Sequence, residues 1–278
     1  MSDYFKGKTA LITGAGKQTG IGFGIARKMA QSGANVVITD LDGPPDKDAL
    51  FKYGSISEMT VITQTLTADY GVDVLALQMD VTKPDSIDAG LASVRERFGR
   101  LDFLFNNAGT ALGAPQSIHQ YDEAAWLKTM DVNLHGVFRV SKAAVPLMAG
   151  RPGAIVNIAS KAGKSPAKLN GAYSVSKAGV IMLTKVMAQE LAPEGIRVNA
   201  VCPGLVMTDL QEGNIALKAI VMGITVEESE KKMAESVPLG RFGQIDEVAD
   251  LCAYLVSDQS SYVTGQAINI GGGLLMEI

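Results

Sequence analysis

The sequence is poor in the residues that build disulfide frameworks and metal centres. Its 278 residues include 2 cysteines, Cys202 and Cys252, and 2 histidines, His119 and His135. Two cysteines cannot form a disulfide framework, and they suit a reducing compartment. Without a Cys/His cluster there is no basis for a structural zinc site. We therefore expect no metal and a cytoplasmic location.

Long apolar runs and an excess of positive charge are missing as well. No apolar run reaches the ~18 residues that a membrane span needs. Residues 1–8 are polar, so we expect no signal peptide. Lys and Arg number 25 against 29 Asp and Glu, a net charge of −4 that offers no basic surface to a nucleic acid. We expect a soluble protein with neither a nucleic-acid nor a membrane partner.

The chain does have regular alternation between short apolar segments and longer segments of helical periodicity. Strands that are apolar on both faces, separated by helices, indicate a parallel sheet covered on both sides. We predict an α/β fold over residues 1–278, a single doubly wound (Rossmann) domain with a seven-stranded parallel sheet. The predicted strands are 9–13, 35–39, 74–79, 101–105, 154–158, 196–201 and 267–270.

Two regions depart from this alternation. The connection between the second and third predicted strands exceeds the roughly 20 to 25 residues that one helix and two short loops need. It contains Gly43-Pro44-Pro45, and we predict a surface insertion near 43–56. Residues 205–237 mix apolar and charged side chains directly after a strand, where a cover over a ligand would lie. We predict a substrate lid there.

A glycine-rich segment joins the first strand to the first helix and reads T-G-A-G-K-Q-T-G-I-G over residues 13–22. Glycines let the chain turn sharply and approach a pyrophosphate, which the helix N-terminus attracts. An ordinary glycine turn is the alternative, but the strand–turn–helix setting favours a dinucleotide site. Asp40 ends the second strand, where a carboxylate accepts both adenosine ribose hydroxyls and repels a 2′-phosphate. This favours NAD over NADP; Lys17 could favour NADP by pairing with that phosphate.

A tyrosine and a lysine occupy positions i and i+4 of a predicted helix. Tyr173 and Lys177 share one helix face, and a nearby cation lowers a tyrosine pKa from about 10 toward the range of a general base. Ser160 ends the fifth strand, at the ligand crevice of a doubly wound sheet. The alternative is a surface tyrosine beside a solvated lysine. The serine and the dinucleotide fold favour a catalytic group.

These motifs make the sequence resemble the short-chain dehydrogenase/reductase family, in its single-domain form with a Y-x-x-x-K active site. The resemblance covers nearly the whole chain. It implies that Tyr173 is the acid/base for the substrate oxygen and that Ser160 hydrogen-bonds the same oxygen. Lys177 would lower the tyrosine pKa and hold the nicotinamide ribose. Asn133 would anchor a water that links Lys177 to solvent.

The resemblance also implies where the cofactor binds. Asp80 with Val81 would contact the adenine, Asn107 the adenosine side, and Val206 with Thr208 the carboxamide and pyrophosphate side. The predicted cofactor-binding residues are Gly14, Gly16, Thr19, Gly20, Ile21, Gly22, Asp40, Asp80, Val81, Asn107, Tyr173, Lys177, Pro203, Gly204, Val206 and Thr208.

The glycine loop departs from the family pattern, because five residues separate Gly14 from Gly20. Either the loop carries two extra residues or Gly16 takes the place of the first glycine. Enoyl-thioester reductases of the same superfamily also have a stretched loop. Their tyrosine and lysine usually lie farther apart on the chain, so the spacing of Tyr173 and Lys177 argues against that chemistry.

The resemblance implies an NAD-dependent oxidoreductase that converts a secondary alcohol to its ketone. Lys161, Lys164, Lys168 and Asn170 favour a polar or anionic substrate such as a sugar, polyol or hydroxy acid, unless these lysines are simply solvated. The main alternative is an NADPH-dependent 3-oxoacyl-thioester (acyl carrier protein) reductase. A cofactor-sensing binding protein without turnover is a further alternative, which the intact catalytic set opposes.

The segments 123–148 and 174–191 predict an assembly. Both are long helical patterns with apolar residues on more than one side, so part of each must meet something other than the sheet. In the family, these helices typically form a dimer contact within a tetramer of D₂ symmetry. We expect a homotetramer.

Overall fold

The computed structural model describes residues 3–42 and 54–277. They form a seven-stranded, all-parallel sheet in the order β3-β2-β1-β4-β5-β6-β7, which confirms the predicted fold class. The strands are β1 (Thr9–Thr13), β2 (Asn35–Asp40), β3 (Val74–Gln78), β4 (Phe103–Asn106), β5 (Gly153–Ile158), β6 (Ile196–Pro203) and β7 (Ala267–Ile270).

The strand order reverses beside β1. The chain builds outward from β1 to β3, returns to place β4 on the other side of β1, and then continues to β7. At such a reversal the connections leave in opposite directions, and a crevice opens outside the carboxyl ends of the two central strands. The residues that follow β1 and β4 therefore lie at the edge where a doubly wound sheet binds its ligand.

Helices cover both faces of this sheet. They are α1 (Ile21–Gln31), α2 (Ile56–Tyr70), α3 (Pro84–Phe98), α4 (Glu123–Met130), α5 (Gly136–Met148), α6 (Gly171–Leu191), α7 (Asp209–Met222), α8 (Val226–Glu235) and α9 (Ile245–Val256). Successive strand side chains point to opposite faces. Ile12 accordingly belongs to the core shared with α1 and α9, whereas Leu11 belongs to the core shared with α3 and α5. Burial on both faces explains the continuous apolar strands.

The predicted helix 123–148 is helical throughout, but it is not α-helical throughout. A single π-helical turn, Asp131–His135, separates α4 from α5 and buries Asn133 completely. A π turn inserts an extra residue into the helix and is frequent at functional sites. Hydrophobic periodicity does not show such an insertion, because the apolar residues on either side still fit a helix.

The two irregular regions have different outcomes. Of the predicted insertion near 43–56, residues 43–53 lie outside the described residues. Ser55 then caps α2, its hydroxyl accepting a hydrogen bond from the Glu58 backbone N–H at 3.2 Å. The predicted lid 205–237 contains the helix pair α7 and α8, which share an apolar cluster with Ile215 and Met233 at its centre. Whether this pair moves stays a prediction.

Candidate active site

The glycine loop between β1 and α1 packs directly against the chain that follows β4. Gly14 has a φ of +65°, and a Cβ at this position would lie 2.7 Å from the Ala108 Cα. A Cβ at Gly22 would lie 2.6 Å from the Gly14 carbonyl oxygen. Both positions therefore require glycine, for conformation at the first and for space at both. The turn has the tightness that a phosphate-binding loop needs.

Asn107 ties this loop to the end of β4. Its side-chain nitrogen donates to the carbonyl oxygens of Thr13, at 3.0 Å, and Gly14, at 2.8 Å. The Thr13 hydroxyl in turn accepts from the backbone N–H of Asn107 at 3.0 Å. The amide nitrogen of Asn107 is thus committed to the protein, and its predicted contact with a cofactor stays a prediction.

Asp40 lies beneath the glycine loop. The Gly16 N–H donates to Asp40 Oδ2 at 2.9 Å, and the Leu41 N–H donates to Oδ1 at 2.8 Å. Burial raises the pKa of the carboxyl, while backbone donors including Gly16, Leu41 and Gly54 lower it. A Cβ at Gly16 would lie 2.7 Å from Asp40 Cβ. Gly14 therefore serves the turn, and Gly16 makes room for the Asp40 carboxylate.

The start of α1 is available to an anion. Gly20 is its N-cap and supplies no side-chain cap, and the first turn contains no acidic residue. The positive end of the helix dipole and the free N–H groups therefore face the glycine loop. Thr19 and Ile21 flank this N-cap, as the predicted phosphate site requires. The neighbouring Lys17 forms an ion pair with Asp209, the first residue of α7.

Lys177 is the one charged residue in the predicted catalytic set, and it is buried. It is 4% exposed, and its Nζ donates to the Ile158 carbonyl oxygen at the end of β5, at 2.7 Å. Burial lowers the pKa of this ammonium to about 8. Nζ lies 5.7 Å from the centroid of the Tyr173 ring, as the shared helix face predicts. The structure therefore brings the pair together.

The Tyr173 phenol differs from the sequence-based expectation in one respect. Burial raises its pKa above the ordinary value, and a hydrogen bond with the Ser160 side chain lowers it in part. The expectation of a lowered pKa considered the cation alone and not the loss of hydration. The Ser160 side chain therefore lies close to the phenol, and its contact with a substrate oxygen stays a prediction.

Asn133 sits behind the lysine. Its Oδ1 accepts from the Thr110 N–H at 2.8 Å, and its Nδ2 donates to the Thr110 carbonyl oxygen at 2.8 Å and to Ser176 Oγ at 3.0 Å. A Cβ at Gly109 would lie 3.4 Å from Asn133 Oδ1 and 3.5 Å from Lys177 Nζ. Asn133 thus holds the chain that follows β4 beside Lys177. The predicted link between Asn133 and a water stays a prediction. Sequence reasoning missed Thr110 and Ser176, although Ser176 lies inside the Y-S-V-S-K motif.

The remaining predicted residues line the same edge of the sheet. Asp80 Oδ1 accepts from the Thr82 N–H at 2.9 Å and hydroxyl at 2.7 Å. Burial acts to raise the Asp80 pKa, but these hydrogen bonds, with Lys128 and Lys83, lower it overall. Val81 is buried beside it. After β6, Gly204 follows Pro203, Val206 is buried, and the Thr208 hydroxyl caps α7, accepting from the Gln211 N–H at 3.3 Å.

Lys164 is held by contacts within the protein. Its Nζ donates to the Ala267 carbonyl oxygen at 2.6 Å and to Glu277 Oε2 at 2.5 Å. This lysine therefore fastens the C-terminal segment to the loop after β5. Lys164 is therefore paired within the protein rather than freely solvated, and a role toward an anionic substrate stays a prediction.

A small cavity lies between the chain after β4, the start of α6 and helix α7. Its volume is about 30 Å³, and it is lined by Ala111, Ala114, Asn170, Leu210, Gly213, Asn214 and Leu217. Most of these lining groups are apolar or small. The cavity lies between the predicted lid and the segment that leads into Tyr173.

Two negative findings apply to residues 3–42 and 54–277. No helix there is both long and apolar enough to cross a bilayer. No group of three or more His, Cys, Asp or Glu side chains there is arranged to hold a metal ion.

Comparisons with known proteins agree with this arrangement. A family model described as "Enoyl-(Acyl carrier protein) reductase" matches residues 14–275. The 3-oxoacyl-[acyl-carrier-protein] reductase FabG of Staphylococcus aureus is 37% identical over 272 residues, which cover 97% of this chain and 98% of that protein.

Solved structures of similar enzymes superpose along the whole chain. The NAD⁺-bound xylitol dehydrogenase is 33% identical, with a TM-score of 0.86 over 97% of this chain and 99% of that one. L-sorbose reductase from Gluconobacter frateurii, complexed with NADPH and L-sorbose, is 30% identical, with a TM-score of 0.88 over 100% of both chains. With motif, fold and relatives in agreement, the chain belongs to the short-chain dehydrogenase/reductase family.

Proposed function

We propose that the protein is an NAD-dependent oxidoreductase that converts a polar secondary alcohol to its ketone, or catalyses the reverse reaction. The observation that carries this proposal is the grouping of Tyr173, Ser160 and buried Lys177 at the carboxyl ends of β5 and β6. A general base and a hydroxyl donor that face one site can act on the same substrate oxygen. We place this reaction in the cytoplasm.

A dinucleotide fits the residues present. Gly14 and Gly22 let the loop pack tightly against Ala108 and against itself, and the N-terminus of α1 begins at this loop without a side-chain cap. Gly16, Gly20 and the backbone near Thr19 and Ile21 would hold the pyrophosphate. The adenine end would lie on Asp80, Val81 and Asn107, and the nicotinamide end on Pro203, Gly204, Val206 and Thr208. Nicotinamide, when bound, supplies the hydride acceptor for the alcohol carbon.

The chain's own residues manage the proton. In the oxidation, the alcohol O–H proton passes to the Tyr173 phenolate while Ser160 donates a hydrogen bond to the same oxygen. The C–H hydrogen leaves with its electron pair as hydride, and a C=O double bond forms. The charge on Lys177 favours the phenolate form of Tyr173 before the proton is transferred, and Lys177 would also hold the nicotinamide ribose. Asn133 would hold the water that returns the proton to solvent.

Asp40 supports the choice of NAD. A carboxylate at the end of β2 can accept both ribose hydroxyls, and its charge opposes a 2′-phosphate. Lys17, the residue that could favour NADP, is engaged with Asp209. The similar proteins do not decide the matter, because the xylitol dehydrogenase is described with NAD⁺ and the L-sorbose reductase with NADPH.

Two of the similar enzymes support a polar substrate, since their names are xylitol dehydrogenase and L-sorbose reductase. We therefore propose a sugar or polyol in preference to a hydroxy acid, because Lys164 is not available for a carboxylate. The second candidate is an NADPH-dependent 3-oxoacyl-thioester reductase, which the 37% identity to FabG favours. The four-residue spacing of Tyr173 and Lys177 argues against a third activity, the reduction of an enoyl thioester.

The segment 205–237 is the proposed substrate lid. Helix α7 forms one wall of the cavity beside Asn170, and its first residue, Asp209, is paired with Lys17 of the glycine loop. The same ion pair thus joins the cofactor loop to the substrate cover. A lid in this position would exclude water from the path of the hydride.

Tyr173→Phe tests the proposed chemistry. It should lower kcat for alcohol oxidation by roughly 10²–10⁴-fold, because proton transfer is lost, while NADH binding stays within a few-fold of the parent. Turnover is measured from the NADH absorbance with a panel of sugars, polyols and simple alcohols. NADH binding is measured by fluorescence titration. Tyr254→Phe, on the outer face of α9, is the matched control. Near-normal turnover by Tyr173→Phe would contradict the mechanism.

Asp40→Ala tests cofactor choice. Loss of two acceptor bonds and of a repulsive charge should reduce the ratio of kcat/KM for NAD to that for NADP by on the order of ten-fold or more. Asp42→Ala removes a nearby exposed carboxylate and should leave the ratio unchanged. If Asp40→Ala discriminates as the parent does, Asp40 is not the selector.

The homotetramer is a proposal that exposed apolar side chains support. On α4, α5 and α6, Leu127 is 59%, Phe138 50%, Met182 60% and Val186 43% exposed in the single chain. Light scattering at micromolar concentration should give four times the chain mass of 29.2 kDa. Phe138→Glu combined with Met182→Glu should lower that mass, because it buries charge in the contact. A monomeric parent protein would rule the tetramer out.

A further inference from the structure

The segment that follows β7 is tied to the loop that follows β5. In this segment, residues 271–277, the Glu277 carboxylate accepts a hydrogen bond from Lys164 Nζ and forms an ion pair with it. The same carboxylate accepts a second hydrogen bond from Asn269 Nδ2 of β7, at 3.2 Å. Lys164 Nζ also donates to the Ala267 carbonyl oxygen at the start of β7, at 2.6 Å. One lysine of the β5 loop thus joins this loop to the edge strand and to residues 271–277.

The two partners of this ion pair differ in exposure. The Lys164 side chain is 12% exposed, whereas that of Glu277 is 48% exposed. An ammonium that is largely buried costs free energy unless an opposite charge compensates it. Without the Glu277 carboxylate, Lys164 would keep a poorly compensated charge in this position. Loss of the carboxylate should therefore displace Lys164 toward water, together with the loop that carries it.

Lys164 ends a tight turn that also contacts α6. This 3₁₀ turn is Lys161–Gly163, with Lys164 as its C-cap residue. The Gly163 N–H donates to the Ser160 carbonyl oxygen at 3.0 Å. A Cβ at Gly163 would lie 2.6 Å from the Lys177 carbonyl carbon, so the turn packs closely on the helix that carries the acid/base pair. The turn is thus held by α6 through Gly163 and by β7 through Lys164.

The same turn sets the Ser160 side chain. Ser160 is the N-cap residue of the turn, and its Oγ accepts from the Ala162 N–H at 3.1 Å. A hydroxyl oxygen that accepts this bond keeps its own proton for another acceptor. In the proposed mechanism, that acceptor is the substrate oxygen. A displaced turn would move the Ala162 N–H and so change the direction in which the Ser160 hydroxyl donates.

We propose that Glu277 and Lys164 are positioning residues, which hold the turn 161–164 so that the Ser160 hydroxyl is directed at the substrate oxygen. This inference rests on the proposed alcohol oxidation. Both residues act through Ser160 and not by contact with the cofactor or the substrate. A group misplaced by about 1 Å can cost on the order of 10²-fold in rate, because the reacting atoms are no longer aligned. Residues 271–277 would thereby control the rate of the chemical step.

Glu277→Gln tests the proposal, because it removes the charge and keeps the size of the side chain. It should lower kcat for alcohol oxidation about ten-fold and leave NADH affinity within a few-fold of the parent. Asp73→Asn is the matched control. Asp73 is a carboxylate of similar exposure, 50%, and is paired with Arg97. It precedes β3, at the amino end of the sheet and away from the catalytic edge, so this variant should keep the parent kcat.

A combination with Ser160→Ala separates positioning from a general loss of structure. If Glu277 acts through Ser160, Glu277→Gln should have almost no further effect on kcat in the Ser160→Ala enzyme, because the hydroxyl that it positions is gone. An equal fall in both backgrounds would overturn the proposal. A parent-like kcat of Glu277→Gln alone would overturn it as well.

Hydrogen exchange tests the positioning without turnover. Residues 161–165 should exchange faster in Glu277→Gln than in the parent, while the glycine loop 13–22 stays unchanged. Lys164→Met should have the same effect, and it is the second variant if Glu277→Gln does not fold. If the parent oxidises no alcohol of the panel, the proposed oxidation fails, and exchange then decides this inference. Faster exchange confined to the turn supports it, whereas unchanged exchange overturns it.

Discussion

A positive charge buried at the end of β5 is the constraint on which the rest of the site depends. Lys177 is almost wholly removed from solvent, and its Nζ donates to the Ile158 carbonyl oxygen. Burying an ammonium is costly, and it lowers the pKa of this group to about 8. The packing around Lys177 allows this burial. A Cβ at Gly163 would lie 2.6 Å from the Lys177 carbonyl carbon, so only glycine lets the loop after β5 pack against α6.

The parallel sheet brings the other parts of the site to this charge. All strands end at one edge, so side chains far apart in sequence become neighbours there. Asn107 ties the glycine loop to β4, and Asn133 ties the chain after β4 to α6 through Thr110 and Ser176. The glycine loop and the Tyr173–Lys177 pair thus belong to one continuous hydrogen-bonded structure. In the proposed reaction, this continuity would align the cofactor and the tyrosine on one carbon atom.

Much of this arrangement could be predicted from the sequence, because it depends on local patterns. The strands follow from short apolar runs, the loop from its glycines, and the Tyr173–Lys177 pair from helical spacing. What could not be predicted depends on contacts between distant residues or on burial. Lys164 meets Glu277 from the other end of the chain, and hydration loss reverses the expected shift of the Tyr173 pKa. The buried, unpaired Oδ1 of Asn170 likewise becomes visible only in the folded chain.

The central claim is that the Lys177 ammonium, which lies beside the Tyr173 ring, favours the phenolate and offsets part of the rise in the tyrosine pKa that burial causes. Its most direct test is the pH dependence of kcat/KM for alcohol oxidation at saturating NAD, in the parent enzyme and in Lys177→Met. The rate should rise with pH as Tyr173 loses its proton, since the phenolate is the base. Removing a neighbouring cation should move the midpoint of that rise upward by about 1 pH unit or more. A midpoint unmoved in Lys177→Met would contradict the claim.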